Sequence, residues 1–203
     1  MTGDLAVNVS RETSERLASY AALLVKWNPA INLVSKSSLA DLQTRHFADS
    51  AQLFALCPPG ARHWADLGSG GGFPGLVIAI LAAEHMPDLT VTLVESDARK
   101  AAFLSTVARE TGIRAKVMAE RIESLAPLAA DVLSARALAS LPQLLAFAER
   151  HLAPGGHALF PKGATHRSEV AESLADWRFD LREHPSKTDP LAVILEIEGV
   201  SRV

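Results

Sequence analysis

Apolar residues fall at helical spacing along residues 11–28, at Leu17, Tyr20, Ala21, Leu24 and Trp27. This pattern predicts a first helix that Pro29 stops. A second helix is predicted from Ser38, where Ser38 and Asp41 resemble a capping box, to about Leu56, before Pro58-Pro59-Gly60. After Gly60 the texture changes. Short apolar runs at 63–67, 90–95, 115–119, 130–134 and 157–160 alternate with helical stretches at 75–85, 97–111, 140–152 and 166–176. Such alternation predicts βαβ units on a parallel sheet. The last two runs, 178–184 and 191–198, have no helix between them, only a connection holding Pro185, Asp189 and Pro190, so they are expected to pair antiparallel. The expected fold is α/β: a mostly parallel, seven-stranded, Rossmann-like sheet with its last pair antiparallel. An N-terminal helical extension (residues 1–60) precedes the sheet domain (61–203), the two forming one compact unit.

Composition narrows the setting. With 203 residues, 48 % of them hydrophobic, the chain suits one domain with one substantial core. No apolar run reaches the roughly 18–20 residues that span a bilayer, and the start, Met1 to Arg16, lacks a basic-then-apolar signal pattern. The single cysteine, Cys57, forms no internal disulfide and fits a reducing compartment, so a cytoplasmic protein is expected. A formal charge of -3 argues against a nucleic-acid coat protein but is compatible with a basic patch on one face.

The chemistry concentrates in Asp66-Leu67-Gly68-Ser69-Gly70-Gly71-Gly72-Phe73-Pro74-Gly75, which follows an apolar strand and opens a helix. Glycines there let the backbone turn sharply and approach a ligand closely. Glu95 ends the next strand, where a carboxylate can take both hydroxyls of a ribose. These features point to a nucleoside-containing cofactor. Gly70, Gly72 and Gly75 also satisfy G-x-G-x-x-G with Glu95 about 20 residues on, so a nicotinamide-dependent oxidoreductase stands as an alternative. Two details favour S-adenosylmethionine. Asp66 can reach a cationic methionine end, directly or through water, but would oppose a pyrophosphate. The closing strand pair without a helix matches the S-adenosylmethionine-dependent class I methyltransferase fold.

Along nearly its whole length the chain resembles the ribosomal small-subunit methyltransferase G family, also called glucose-inhibited division protein B. The resemblance is carried by Lys26-Trp27-Asn28 with Asn32-Leu33, by Arg45-His46 through Asp49-Ser50, and by the glycine loop. It continues with Arg99-Lys100 and Phe103-Leu104, Arg121-Ile122-Glu123, Ser134-Ala135-Arg136-Ala137 with Ser140-Leu141, and Lys162-Gly163. It implies methylation of N7 of one guanine in a 16S ribosomal RNA loop near the decoding centre. It also implies cofactor contacts at Gly68, Phe73, Ile122, Glu123 and Arg136, to which the residue reading adds Asp66, Gly70 and Glu95. Ser69 and Gly71 depart from the Thr and the bulkier residue that relatives often carry.

Guanine N7 has a lone pair and no proton, so its methylation needs alignment and no general base. The sequence agrees by omission: the fourth strand is followed by neither an Asn/Asp-Pro-Pro-aromatic motif nor a cysteine. Arg136, at the carboxyl end of that strand, is the candidate positioning residue. Arg99, Lys100, Arg121, Arg136 and Lys162 recur on the same edge, the expected footprint for RNA phosphates, and His46 is a further candidate on the RNA surface. Lys162 also admits a role in ribose 2′-hydroxyl methylation, but that mechanism's second lysine is missing near the first strand. Phe73 fits either a base-stacking or a core role. The histidines show no metal-ligand spacing, so no metal site is expected. The expected partner is 16S RNA or the small ribosomal subunit, with the protein acting as a monomer. A non-catalytic RNA-binding module is the remaining alternative.

Overall fold

The structure is a computed structural model describing residues 8–39 and 41–203. The first seven residues of the predicted extension, and the side chain of Arg45, lie outside the described residues.

Among the described residues, seven strands form one sheet: β1 (His63–Leu67), β2 (Thr90–Val94), β3 (Ala115–Met118), β4 (Ala130–Ser134), β5 (Leu152–Lys162), β6 (Trp177–Pro185) and β7 (Val193–Arg202). Their spatial order is β3-β2-β1-β4-β5-β7-β6. The first five run parallel, and β7 lies antiparallel to both β5 and β6. The expected antiparallel ending is present. Its return strand, β7, inserts beside β5 and leaves β6 on the edge.

The central strands read as apolar runs because both their faces are covered. Alternation along each strand assigns the faces. Trp64, Val132 and Leu159 join one core, while Leu67, Leu133, Ala158 and Phe160 join the other. The first core is closed by α1 (Arg11–Ile31), α3 (Asp49–Phe54), α4 (Gly75–His85) and α5 (Ala98–Thr111), and the second by α6 (Leu141–His151). Helix α4 is buried continuously from Gly75 to Ala82, since α1 and α3 cover the side that the sheet leaves open. A helix apolar all round is stable only when enclosed in this way. The short α7 (His166–Ser173) packs against α6.

The N-terminal helices differ most from expectation. Helix α1 continues through Pro29 to Ile31 and ends at Asn32, whose left-handed backbone (φ 54°) returns its N–H to Asn28. So close to the end, Pro29 costs one intrahelical hydrogen bond and does not break the helix. The second predicted helix is three pieces: α2 (Lys36–Leu39), a π-helical turn over Gln43–Ala48, and α3. Its cap is Ser35, whose Oγ accepts the N–H of Ser38 at 3.2 Å, three residues before the predicted one. The wider π turn carries His46 and Phe47 inward together. Leu17, Tyr20, Leu24 and Phe47 share the core of α4 and α5, so the helical extension completes that layer. No helix among the described residues is long and apolar enough to cross a membrane.

Candidate active site

The glycine loop leaves β1 at the carboxyl edge of the sheet and is tied down from four directions. Ser69 N–H bonds the Val94 carbonyl at 3.0 Å. Gly70 N–H donates to Glu95 Oε2 at 2.8 Å. The Tyr20 hydroxyl, from α1, donates to the Gly71 carbonyl. Gly75 N–H, at the start of α4, donates to Asp66 Oδ2 at 3.2 Å. Two glycines are required for different reasons. Gly70 has φ +54°, and a Cβ there would meet nothing nearer than the Gly68 carbonyl at 3.8 Å, so it turns a bare backbone toward open space. Gly75 faces inward, where a Cβ would stand 2.7 Å from Asp66 Oδ2 and 2.8 Å from Asp66 Cβ.

Over this loop lies a cavity of about 570 Å³. It brings together most of the expected cofactor residues: Gly68, Gly70, Phe73, Glu95, Ile122, Glu123 and Arg136, together with His46, Lys100 and Arg121. Ile122 and Glu123 stand in a single 3-10 turn (Ile122–Ser124) after β3. Glu95 is pinned at both oxygens, its Oε1 accepting from Asp97 N–H at 2.8 Å. A carboxylate offers about four lone-pair sites, so this leaves capacity for a ligand's hydroxyls.

Three candidates stand elsewhere. Asp66 is 0 % exposed and does not line the cavity. Its Oδ1 accepts from the Ser134 hydroxyl at 2.7 Å, which in turn accepts from Trp64 Nε1 at 2.9 Å. Burial pushes its carboxyl up to about 6, although Ser134, Ser69, the Gly75 N–H and Arg136 each pull it down. Asp66 therefore shapes the loop from behind, holding Gly75 and Ser134. Lys162 is 10 % exposed and bonds Glu169 at 2.8 Å and the Ala139 carbonyl at 3.1 Å. Its ammonium is held by these two partners, away from the first cavity. Arg99, 71 % exposed, turns to Asp97 at 3.4 Å and lies outside the cavity.

Arg136 is held at the cavity's end. Its Nη2 donates to His46 Nδ1 at 2.8 Å, its Nη1 lies 3.3 Å from Asp49 Oδ2, and its guanidinium sits 5.1 Å from the Phe73 ring centre. Phe73 stacks on His46 at 4.5 Å and on Tyr20 at 5.3 Å, so it is the middle of an aromatic column with one edge on the cavity. A second cavity, of about 630 Å³, lies beyond Arg136 and His46 and is lined by Asp49, Pro161, Lys162 and Thr188.

Tyr20, Asp49 and Ser134 are site residues to which the sequence reading gave no role, although Asp49 and Ser134 stand within the motifs that carry the resemblance. Tyr20 read as one more apolar position of α1. Asp49 carried a faint signal, three residues after His46 and so on the same face of a helix. Cys57 is half-buried, and burial pushes its thiol up to about 11, which keeps it protonated and unreactive. Among the described residues one His/carboxylate group has metal-like geometry: His157, Glu196 and Glu198 on β5 and β7. Spacing could not disclose it, because the residues meet across strands. Arg182 already bridges the two glutamates, at 3.5 and 3.3 Å.

The fold matches the crystal structure of a TehB-like SAM-dependent methyltransferase from Corynebacterium glutamicum, with a TM-score of 0.59 and 15 % identity, covering 90 % of this chain and 98 % of that one. Sheet order and antiparallel β7 define the class I, Rossmann-like methyltransferase fold, with a ligand-sized cavity over the glycine loop. The chain is 58 % identical to ribosomal RNA small subunit methyltransferase G of Ruegeria pomeroyi, covering 97 % of this chain and 96 % of the relative. It is 55 % identical to the protein of that name from Rhodospirillum centenum, covering 97 % and 88 %. Residues 13–189 match the family model for rRNA small subunit methyltransferase G, and the chain belongs to that family. The nicotinamide alternative, open on loop spacing alone, is thereby closed.

Proposed function

We propose that this protein methylates N7 of a single guanine in 16S ribosomal RNA, with S-adenosylmethionine as donor. The observation that carries the reading is the first cavity. One wall offers bare glycine backbone and the Glu95 carboxylate, and the far end offers a fixed arginine.

The residues present fit the donor. Gly70 turns bare backbone to the cavity and leaves room for close approach of a nucleoside, while Leu138 packs directly against Gly68. Glu95 has acceptor capacity for ribose hydroxyls. Ile122, Leu138 and Phe147 supply apolar surface for an adenine, with Glu123 beside them. Bound there, S-adenosylmethionine supplies an electrophilic methyl group, and transfer to N7 puts positive charge on the purine without releasing a proton. The protein's task is therefore orientation, which is worth up to roughly 7–11 kcal/mol in well-aligned reactions. Arg136, restrained by His46, Asp49 and Phe73, is rigid enough for that task. Lys100 and Arg121 at the cavity mouth, with Arg99 on the adjoining helix, would meet RNA phosphates. We assign the protein to the cytoplasm, acting as a monomer on small-subunit RNA.

The test is to incubate the protein with methyl-labelled donor and small subunits from cells lacking this activity. Label should enter one guanine whose strand becomes cleavable after borohydride and aniline treatment, the signature of N7 methylation. Label on adenine or ribose alone would refute the reading.

A further inference from the structure

The two cavities share a wall of four residues, Ser38, His46, Arg136 and Ala137, and Asp49 lines only the second. Asp49 is fixed. Its Oδ1 accepts from Thr188 Oγ1 at 2.9 Å and Gln52 Nε2 at 2.9 Å, and its Oδ2 faces Arg136 at 3.3 Å. A hydrogen-bond donor, Arg136, thus stands directly beside an acceptor, Asp49, at the rim of an empty volume walled by Leu144, Pro161 and Pro190.

Guanine presents the complement of that pair. Its O6 accepts, the neighbouring N1–H donates, and N7 lies on the other side of O6. We infer that the second cavity receives the target guanine, flipped out of its RNA stack, and that Arg136 and Asp49 read O6 and N1–H. This assignment rests on the methyltransferase reading above and gives its acceptor site. With O6 at Arg136 and N1–H toward Asp49, N7 points away from Asp49, past Arg136 toward the first cavity. Arg136 then recognises the base without covering the nucleophile. Adenine reverses both polarities, setting an amino donor against the guanidinium and a bare N1 against the carboxylate. A site built from fixed, part-buried polar partners rejects such a mismatch more strongly than an apolar slot can. Bases acted on by enzymes are commonly extruded into pockets of this kind.

The experiment uses the full-length protein and small subunits reconstituted with guanine, inosine, 1-methylguanine or adenine at the target position. Inosine keeps O6 and N1–H, so its kcat/KM should stay within about tenfold of guanine. Adenine and 1-methylguanine, which lack the N1 proton, should fall by about 100-fold or more. Asp49→Asn places an amide N–H against a donor in either orientation. It should lower kcat/KM on guanine by about 100-fold and shrink the guanine-over-adenine ratio at least tenfold. Its affinity for S-adenosylmethionine, measured by calorimetry, should stay within threefold of wild type. Wild-type activity on 1-methylguanine equal to that on guanine would overturn the assignment, as would an unchanged ratio in Asp49→Asn. The base series needs only wild-type protein, so it decides the matter even if the variant misfolds. If wild-type protein labels no guanine at all, the methyltransferase reading has failed, a result distinct from loss of base selectivity.

Discussion

Asp66→Asn isolates the cost of the charge beneath the glycine loop. Asp66 is fully buried, and its carboxyl is pushed up to about 6 from an ordinary 3.8. The folded protein therefore holds this proton more tightly than the unfolded chain does. Its contribution to stability is complete below about pH 4 and is lost as pH rises through about 6. A shift of about two units corresponds to about 3 kcal/mol. Asparagine is neutral throughout. It can accept from Gly75 N–H with its oxygen and donate to Ser134 Oγ, so any hydrogen-bond loss is the same at every pH. The quantity to measure is the stability difference between variant and wild type from urea unfolding at pH 4, 5, 6 and 7. Other titrating groups cancel in that difference where they lie far from the substitution. The variant should gain on wild type by about 2 kcal/mol between pH 4 and pH 7, most of the full shift. A difference that stays flat across this range would refute the argument that burial dominates at Asp66.

Other outcomes follow from the same geometry. Glu95→Ala removes the acceptor for Gly70 N–H along with the ribose ligand, and should weaken donor binding by about 1–3 kcal/mol in calorimetry; an unchanged Kd would place the ribose elsewhere. Tyr20→Phe frees the Gly71 carbonyl, so thermal unfolding should show a loss of about 1 kcal/mol together with a raised KM for the donor. Lys162→Met should cost about 1 kcal/mol of stability by removing the cation beside Glu169, which keeps the Leu141 N–H, while leaving the salt dependence of RNA binding untouched. Arg121→Ala should do the reverse: its side chain is 75 % exposed, and losing one phosphate contact should reduce the slope of log K against log salt by about 0.7–0.9.

The features legible in the sequence are those whose partners lie close along the chain. β1 and β4 begin and end where their apolar runs do. The loop and Glu95 were readable because strand, turn and helix are consecutive and glycine has few other reasons to cluster. What escaped notice joins distant segments. Tyr20 and Gly71 are 51 positions apart, and Asp49 and Arg136 are 87 apart. No periodicity announces such pairs. The partner of Lys162 was hidden for a related reason: only the fold brings Glu169 of α7 back to a lysine at the end of β5. In the extension, helical spacing was right, but the π turn shifts the phase by one residue, which is how His46 reaches Arg136.

The central claim is that the turn after β1 holds the methyl donor opposite Arg136. A crystal structure with bound S-adenosylhomocysteine tests it most directly. The ribose should contact Glu95, the adenine should lie beside Ile122, and the sulfur should face the end occupied by Arg136. A ligand seated only in the second cavity, or a first cavity that stays shut at saturating ligand, would contradict it.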